Sequence, residues 1–354
     1  MTLRERILAV IQGREHDRVP FVQYDGLAGP NDEIWSVIGR DTMGIIRWSS
    51  VHAMDHPHCR FESTPFERDG RRGQITTLYT PAGQLCEERL FEPVHGSSHI
   101  IRHYVKRPQD YCVLSAFLRD TVVREDIAHF LRDQQELGDD GVPMVSVSRT
   151  PFQQLWTEWV HIENLCLHLV DCPERVEECT ELMAGIERTI FEIVRKAPVP
   201  FVDFPDNITA PVIGERYFRR YCVPLYNELA DMLAERGVPV FVHMDGSLRP
   251  LWKAIGETRI GGIDSLSPPP DNDTSVGQAA AMWPRMRLLA NFPSSVHLME
   301  PAAIRRQAEE MLAEAGHTGR LQIQISENMP PGAWRNSFPQ IVRAIDEFGK
   351  PGSR

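Results

Sequence analysis

A single (β/α)8 barrel is the fold this sequence predicts, and three observations predict it. From residue 108 onward, short apolar runs alternate with amphipathic stretches of helical period, which implies βαβ units and a parallel sheet. About eight such runs occur, and polar residues gather at their C-terminal ends, which a barrel brings to one mouth. Neither G-x-G-x-x-G nor G-x-x-x-x-G-K-[ST] is present, so the glycine-rich turn of a doubly wound nucleotide-binding sheet is missing. The length of 354 residues accommodates one such barrel with an insertion, a single domain over 1–354.

The elements follow in order. Thr2 and Glu5 form a capping-box pattern ahead of the stripe Leu3, Ile7, Leu8 and Ile11, and Gly13 ends that helix. Phe21 to Tyr24 reads as the first strand, with Asp25 and Gly26 after it, and Gly44 to Trp48 as the second. The texture then changes near residues 59–104. Gly73 to Thr80 alternates apolar and polar residues, Pro81-Ala82-Gly83 turns, and Gln84 to Leu90 returns. Ser98 to Tyr104 adds a third strand. This is a β-hairpin insertion or lid, too short and too poor in large apolar residues to be an independent domain.

Helices are predicted over 108–118 and 125–137, a strand over 142–147, and short helices between 151 and 169. Pro173 opens a long helix with Val176, Cys179, Met183, Ile186 and Ile190 on one face. The strand 199–204 ends in Pro205-Asp206-Asn207, and a helix follows over 215–236. Next comes the apolar run Val238 to Val242, ending in His243-Met244-Asp245-Gly246. Helices at 251–255, 276–282, 301–313 and 338–348 then alternate with strands at 262–266, 287–291 and 321–325, the last running into Ser326-Glu327-Asn328.

Composition narrows the partners. There are 38 Lys and Arg against 49 Asp and Glu, a net charge of −11, which argues against nucleic acid or an anionic membrane as the main partner. A local basic patch exists around Arg68, Arg71 and Arg72. The seven cysteines include no C-x-x-C pair, as in a reduced cytoplasmic protein. No secretory signal and no apolar span of ~20 residues is visible.

The chemistry concentrates at predicted strand ends. His243 and Asp245 are two apart in a strand and share a face, so together they can hold a metal, move a proton, or bond each other. Asp245 can equally orient His243 or cap the helix that follows. Asp206 and Asn207 suit substrate binding or base catalysis, and Pro-Asp-Asn is also turn chemistry. Tyr24 and Asn291 are further candidates for substrate contact. The cluster His52, His56 and His58 reads as a solvated loop, His161 and His168 as surface or core histidines, and Trp156 and Trp159 as packing. No G-x-S-x-G elbow supports serine hydrolysis.

Three stretches carry a resemblance. RERILAVIQGREHDRVPF, PDNITAPVIGERYFRRYCVPLYNELADMLAERGVPVFVHMDGSLRPLW and RLLANFPSSVHLMEPAAIRRQAEEML together resemble the uroporphyrinogen decarboxylase superfamily, over nearly the whole chain outside 59–104. The resemblance implies a TIM barrel that either decarboxylates porphyrinogens or transfers methyl groups to corrinoid proteins. The porphyrinogen enzymes carry an arginine motif of the type M-R-Q-A-G-R, whereas Phe21 to Gly29 here has no arginine. A polycarboxylate substrate wants that guanidinium fork. Thiol-alkylating methyltransferases show H-x-C-G and a later cysteine. Here Asp245 stands in place of the first, and no cysteine follows Cys222.

These departures place the chain nearer the corrinoid-dependent methyltransferase branch, with an oxygen-rich site. His243, Asp245 and Glu327 are the expected zinc ligands, with Asp206, His243 and Asp245 as catalytic groups and Tyr24, Asn207 and Asn291 contacting substrate. The expected activity is demethylation of a small O- or N-methylated compound. The corrinoid would come from a partner protein, since no D-x-H-x-x-G cobalamin signature is present. A carboxy-lyase acting on a small carboxylated substrate, and a non-catalytic binding barrel, are the alternatives.

Overall fold

The computed structural model describes residues 1–93 and 97–349. The chain runs α1 (Leu3–Gln12), β1 (Phe21–Tyr24), α2 (Asn31–Ile38), β2 (Met43–Ser49), β3 (His52–Asp55), β4 (Arg60–Arg68), β5 (Arg71–Thr80), β6 (Gly83–Phe91) and β7 (Ser98–Arg102). It continues through α3 (Tyr111–Arg119), β8 (Val122–Glu125), α4 (Ile127–Leu137), β9 (Gly141–Ser146), α5 (Pro151–Gln154), α6 (Ile162–Asp171), α7 (Pro173–Lys196) and β10 (Val202–Phe204). The last part is α8 (Ala210–Tyr217), α9 (Val223–Ala234), β11 (Val240–His243), α10 (Trp252–Gly256), β12 (Gly262–Leu266), α11 (Val276–Met282), β13 (Arg287–Asn291), α12 (Pro301–Ala315), β14 (Leu321–Ile325) and α13 (Trp334–Phe348).

The chain forms two compact units. The first comprises Met1–Val51, Ile127–Val147 and the chain from Ala197 on. It holds a closed, all-parallel eight-stranded barrel in the order β1-β14-β13-β12-β11-β10-β9-β2. The predicted (β/α)8 fold is therefore present. Its strands are short and buried on both faces, as parallel strands covered by helices must be. The capping box forms as expected: Thr2 Oγ1 accepts from the Glu5 amide at 3.1 Å, and the Thr2 amide donates to Glu5 Oε2 at 2.9 Å.

Helix α1 closes the N-terminal end of the barrel. Ile7, Val10 and Ile11 belong to one buried cluster with Val22, Ile46, Val142, Met144, Phe201, Phe241 and Leu289 from six strands or their approaches. Gly44 allows the close approach, because a Cβ there would lie 2.6 Å from Ile7 Cδ1. With that end filled by apolar side chains, the polar ends of the strands have the opposite end to themselves.

The second unit comprises His52–Asp126 and Ser148–Lys196. Its main sheet is antiparallel, in the order β4-β5-β6-β7. The predicted hairpin is β5 and β6, paired from Gly73–Leu90 to Thr80–Gly83. The expected third strand is β7. The fourth strand, β4, is absent from the sequence reading because it is exposed along almost its whole length and contains Pro65, so it shows no buried face. Trp159 packs against Tyr104 and Phe117, and His168 is buried against the Tyr111 hydroxyl at 3.2 Å, so both are packing residues.

Other local expectations shift. His52 lies in β3, paired with β8, rather than in a loop, and β8 ends at Glu125, so the helix expected from 125 starts at Ile127. The helix expected over 215–236 is interrupted. Gly214 has φ +61, Phe218–Cys222 forms a π turn, and Pro224 restarts the helix where its missing amide is harmless. Among the described residues, no helix is long and apolar enough to cross a membrane.

Because Ile7 is 1% exposed and wedged among barrel side chains, Ile7→Ala should destabilise the protein by about 2–5 kcal/mol. Urea unfolding followed by circular dichroism measures it, and a loss below about 0.5 kcal/mol would mean that α1 is not a plug.

Candidate metal centre

Strand ends β11 and β14 carry the three residues expected to hold metal, and the barrel brings them together. His243, Asp245 and Glu327 each offer a ligand atom, and these atoms all lie within 4.8 Å of one another. His243 Nε2 is 3.7 Å from Asp245 Oδ2. Among the described residues this is the one group of three or more His, Cys, Asp or Glu side chains spaced for a metal ion.

The other nitrogen of His243 is fixed from below. In the register of β11 on β12, His243 stands beside Asp264, and its Nδ1–H donates to Asp264 Oδ2 at 2.9 Å. Asp264 is completely buried. A carboxylate with no solvent needs donors on every side. Besides His243, it receives the Tyr24 hydroxyl, the Ser265 hydroxyl at 3.1 Å and Gln324 Nε2 at 2.9 Å. Since a carboxylate only accepts, Asp264 keeps a proton on Nδ1 and turns Nε2 toward Asp245 and Glu327. This is the carboxylate–histidine pairing that orients imidazole ligands in metal sites.

Charge follows the geometry. Burial opposes the charged imidazole of His243, but its hydrogen bonds with Asp245 and Asp264 outweigh burial and raise its pKa well above the usual 6.5. Burial also works against ionised Asp245, yet His243 and the Asn207 amide hold its carboxyl below the ordinary carboxylate value. Glu327 goes the other way. Burial, and then the negative charge of Asp245, push its carboxyl up to about 7. Tyr24 stays protonated, since burial and the charges of Asp264 and Asp203 raise its pKa well above 10. Two carboxylates that repel each other around one imidazole form a site that attracts a cation.

The remaining predicted residues fall into different roles. Asn207 donates to Asp245 Oδ2 at 2.8 Å, so it positions that carboxylate. Tyr24 reaches the site through Asp264 and lies 3.4 Å from His243 Nδ1. Asn291 accepts from the Ser326 amide at 3.0 Å, and its buried Nδ2 has no hydrogen-bond partner among the described residues. Asp206 is buried and accepts from the Tyr226 hydroxyl of α9. Asp245 does not cap the helix after it. Asp273 does, accepting from the amides of Leu248 at 2.8 Å and Arg249 at 3.2 Å.

Backbone strain marks the same place. Asn207 (φ +52) and Ser265 (φ +58) are two of the three non-glycine residues with positive φ among those described. Such positions are uncommon and are held only where the surroundings impose them. At Ser265 the pairing of β12 with β13 slips between Asp264 and Leu266. That irregularity lets two consecutive side chains meet the same partner, because both Asp264 and Ser265 contact the Tyr24 hydroxyl. The hydroxyl oxygens of Ser265 and Ser326 also lie within hydrogen-bond distance, at 2.7 Å.

Sequence reading missed Asp264, Ser265 and Trp48. The available signal for Asp264 was a carboxylate inside the apolar run Gly262 to Leu266. Trp48 is 36% exposed, packs edge-on against Tyr24 at 5.4 Å and lies 6.4 Å from the His243 ring, so it forms an aromatic wall beside the centre.

Residues 122–348, well over half of the chain, match the family model Uroporphyrinogen decarboxylase (URO-D). The chain belongs to the uroporphyrinogen decarboxylase family. Among solved structures it is similar to a methyltransferase from Methanosarcina mazei, with a TM-score of 0.60 and 12% identity, covering 99% of this chain and 100% of that one. A B12-independent methionine synthase from Shewanella sp. W3-18-1 aligns with a TM-score of 0.41 and 10% identity over 93% of this chain and 97% of that one. No curated protein matches the sequence. At these identities the structural likeness is one of fold.

Gly246 completes the H-x-D-G motif for a packing reason. A Cβ there would lie 2.3 Å from Thr209 Cβ and 2.8 Å from the Ile208 carbonyl, and the Gly246 amide donates to that carbonyl at 3.1 Å. Gly246→Ala should therefore push the 207–209 segment, with Asn207, off Asp245. The expected loss is about 1–3 kcal/mol in urea unfolding, and an unchanged midpoint would refute this role.

Proposed function

We propose that this protein is a methyltransferase that demethylates a small O- or N-methylated compound and delivers the methyl group to a corrinoid carried by a partner protein. The observation that carries the reading is the convergence of His243 Nε2, Asp245 and Glu327 at the C-terminal ends of the strands, with Asp264 holding the far side of the imidazole. The donor set fits zinc, which accepts nitrogen and carboxylate oxygen and in catalytic sites commonly keeps three protein ligands with one position open. Zinc held there would supply Lewis acidity toward the oxygen or nitrogen that bears the methyl group.

The chain's own residues do the rest. Asp264 fixes the tautomer of His243, and Asn207 aims Asp245. Trp48, packed against the buried Tyr24, offers an aromatic surface against which the non-reacting part of a substrate can lie. Asn291 offers a buried N–H donor without a partner among the described residues. Asp206 acts from behind, anchored to Tyr226, by shaping the strand end that carries Asn207. No cysteine joins His243, so the site is harder than a zinc–thiolate centre and favours oxygen or nitrogen methyl donors over thiols. The shared fold with a protein named as a methyltransferase supports the same direction.

Two measurements test this. Metal analysis of protein purified without added metal should find about one zinc per chain, lost in His243→Ala, with Asp264→Asn weakening zinc affinity roughly 10- to 100-fold. A spectroscopic assay of methyl transfer to cob(I)alamin, over a panel of methyl ethers and methylamines, should show zinc-dependent turnover. A zinc-free protein that stays inactive after zinc addition would sink the reading, and carbon dioxide release from a carboxylated substrate would replace it with decarboxylation.

A further inference from the structure

We infer that the cleft at the N-terminal face of the barrel, walled by Arg285, Arg287 and Arg320, binds a small multiply charged anion of the phosphate class. The cleft encloses about 1190 Å³ between the end of α1, the starts of β13 and β14, and the end of α13. That is room for a small molecule. It lies at the opposite ends of the strands from His243. On a chain of net charge −11, its lining carries five arginines, including Arg14 and Arg18, against Glu15 and Asp17.

The acids do not neutralise these arginines. Asp17 is engaged by Arg6 at 2.7 Å, and Arg18 pairs with Asp346 at 2.9 Å. Arg14, Arg285, Arg287 and Arg320 make no ion pair among the described residues. Arg320 has a structural role, donating to the carbonyls of Ala280, Trp283 and Met286. Arg287 does not share it. Among the described residues its one side-chain hydrogen bond is Nη1 to the Arg285 carbonyl at 3.2 Å, and its buried Nε has no partner.

The Arg287 guanidinium is seated in a cradle. Gly13 (φ +69) lies directly beneath it, and a Cβ there would be 2.2 Å from Nη2. Burial depresses the pKa of both Arg287 and Arg320, and the charge of Arg287 adds to the depression at Arg320. Guanidinium groups partly buried without a counter-charge among the described residues are stabilised by a ligand carrying several negative oxygens. The planar guanidinium fork matches phosphate oxygens two at a time.

Inorganic pyrophosphate titrated into the full-length protein by calorimetry at low salt tests the assignment. One site per chain is expected, weakened about tenfold by Arg287→Gln and measurably by Arg285→Gln, whose exposed side chain makes misfolding an unsuitable explanation. Arg71→Gln, at the exposed start of β5, should leave the affinity unchanged. Added sodium chloride should weaken binding to the parent protein. Absence of binding, equal affinity in Arg285→Gln and Arg287→Gln to that of the parent, or equal loss in Arg71→Gln would overturn the proposal. Citrate binding as tightly as pyrophosphate would overturn the phosphate assignment.

Discussion

The hydrogen bond between His243 Nδ1 and Asp264 is the interaction on which the candidate centre depends. It joins two neighbouring barrel strands through side chains, in a place without solvent. A buried carboxylate is tolerated only when its oxygens are supplied with donors, and here four side chains supply them. Removing any one leaves a charge short of a partner in a low-dielectric interior, where such a deficit is severe. The network also decides which nitrogen of His243 is presented to the mouth.

The surrounding backbone is bent to serve that network. The irregularity at Ser265 lets consecutive residues of β12 reach Tyr24, and the left-handed conformation at Asn207 carries its amide to Asp245. Gly246 allows the segment after β10 to lie against the segment after β11, with hydrogen bonds from Ile208 to His243 and from Gly246 to Ile208. Strain concentrated on the strands beside His243 and Asp245 is the pattern expected where function imposes geometry.

The two ends of the barrel differ in chemistry. The end bearing His243 collects carboxylates, so it favours a cation. The other end is stopped by the apolar face of α1 and bordered by Arg14, Arg285, Arg287 and Arg320, which have no carboxylate partner among the described residues. Conserving the fold needs only the plug and the alternation of strand and helix. Neither requirement explains a guanidinium buried over Gly13 with an unused Nε–H.

The sequence by itself determined the barrel, because helical and strand periods are local properties that repeat along the chain. It also placed His243 and Asp245 on one face of a strand, since that depends only on a spacing of two. Glu327 was legible as a polar residue ending another strand. What only the tertiary structure decided was the partnership. Asp264 lies 21 residues from His243, and Gln324 lies 60 from Asp264, so their contacts exist only once the strands are in register. The same holds for the edge strand β4, which has no buried face to announce it, and for Arg287, whose meeting with Gly13 no local pattern encodes. Periodicity specifies which way a side chain points, and only closure of the sheet specifies what it meets there.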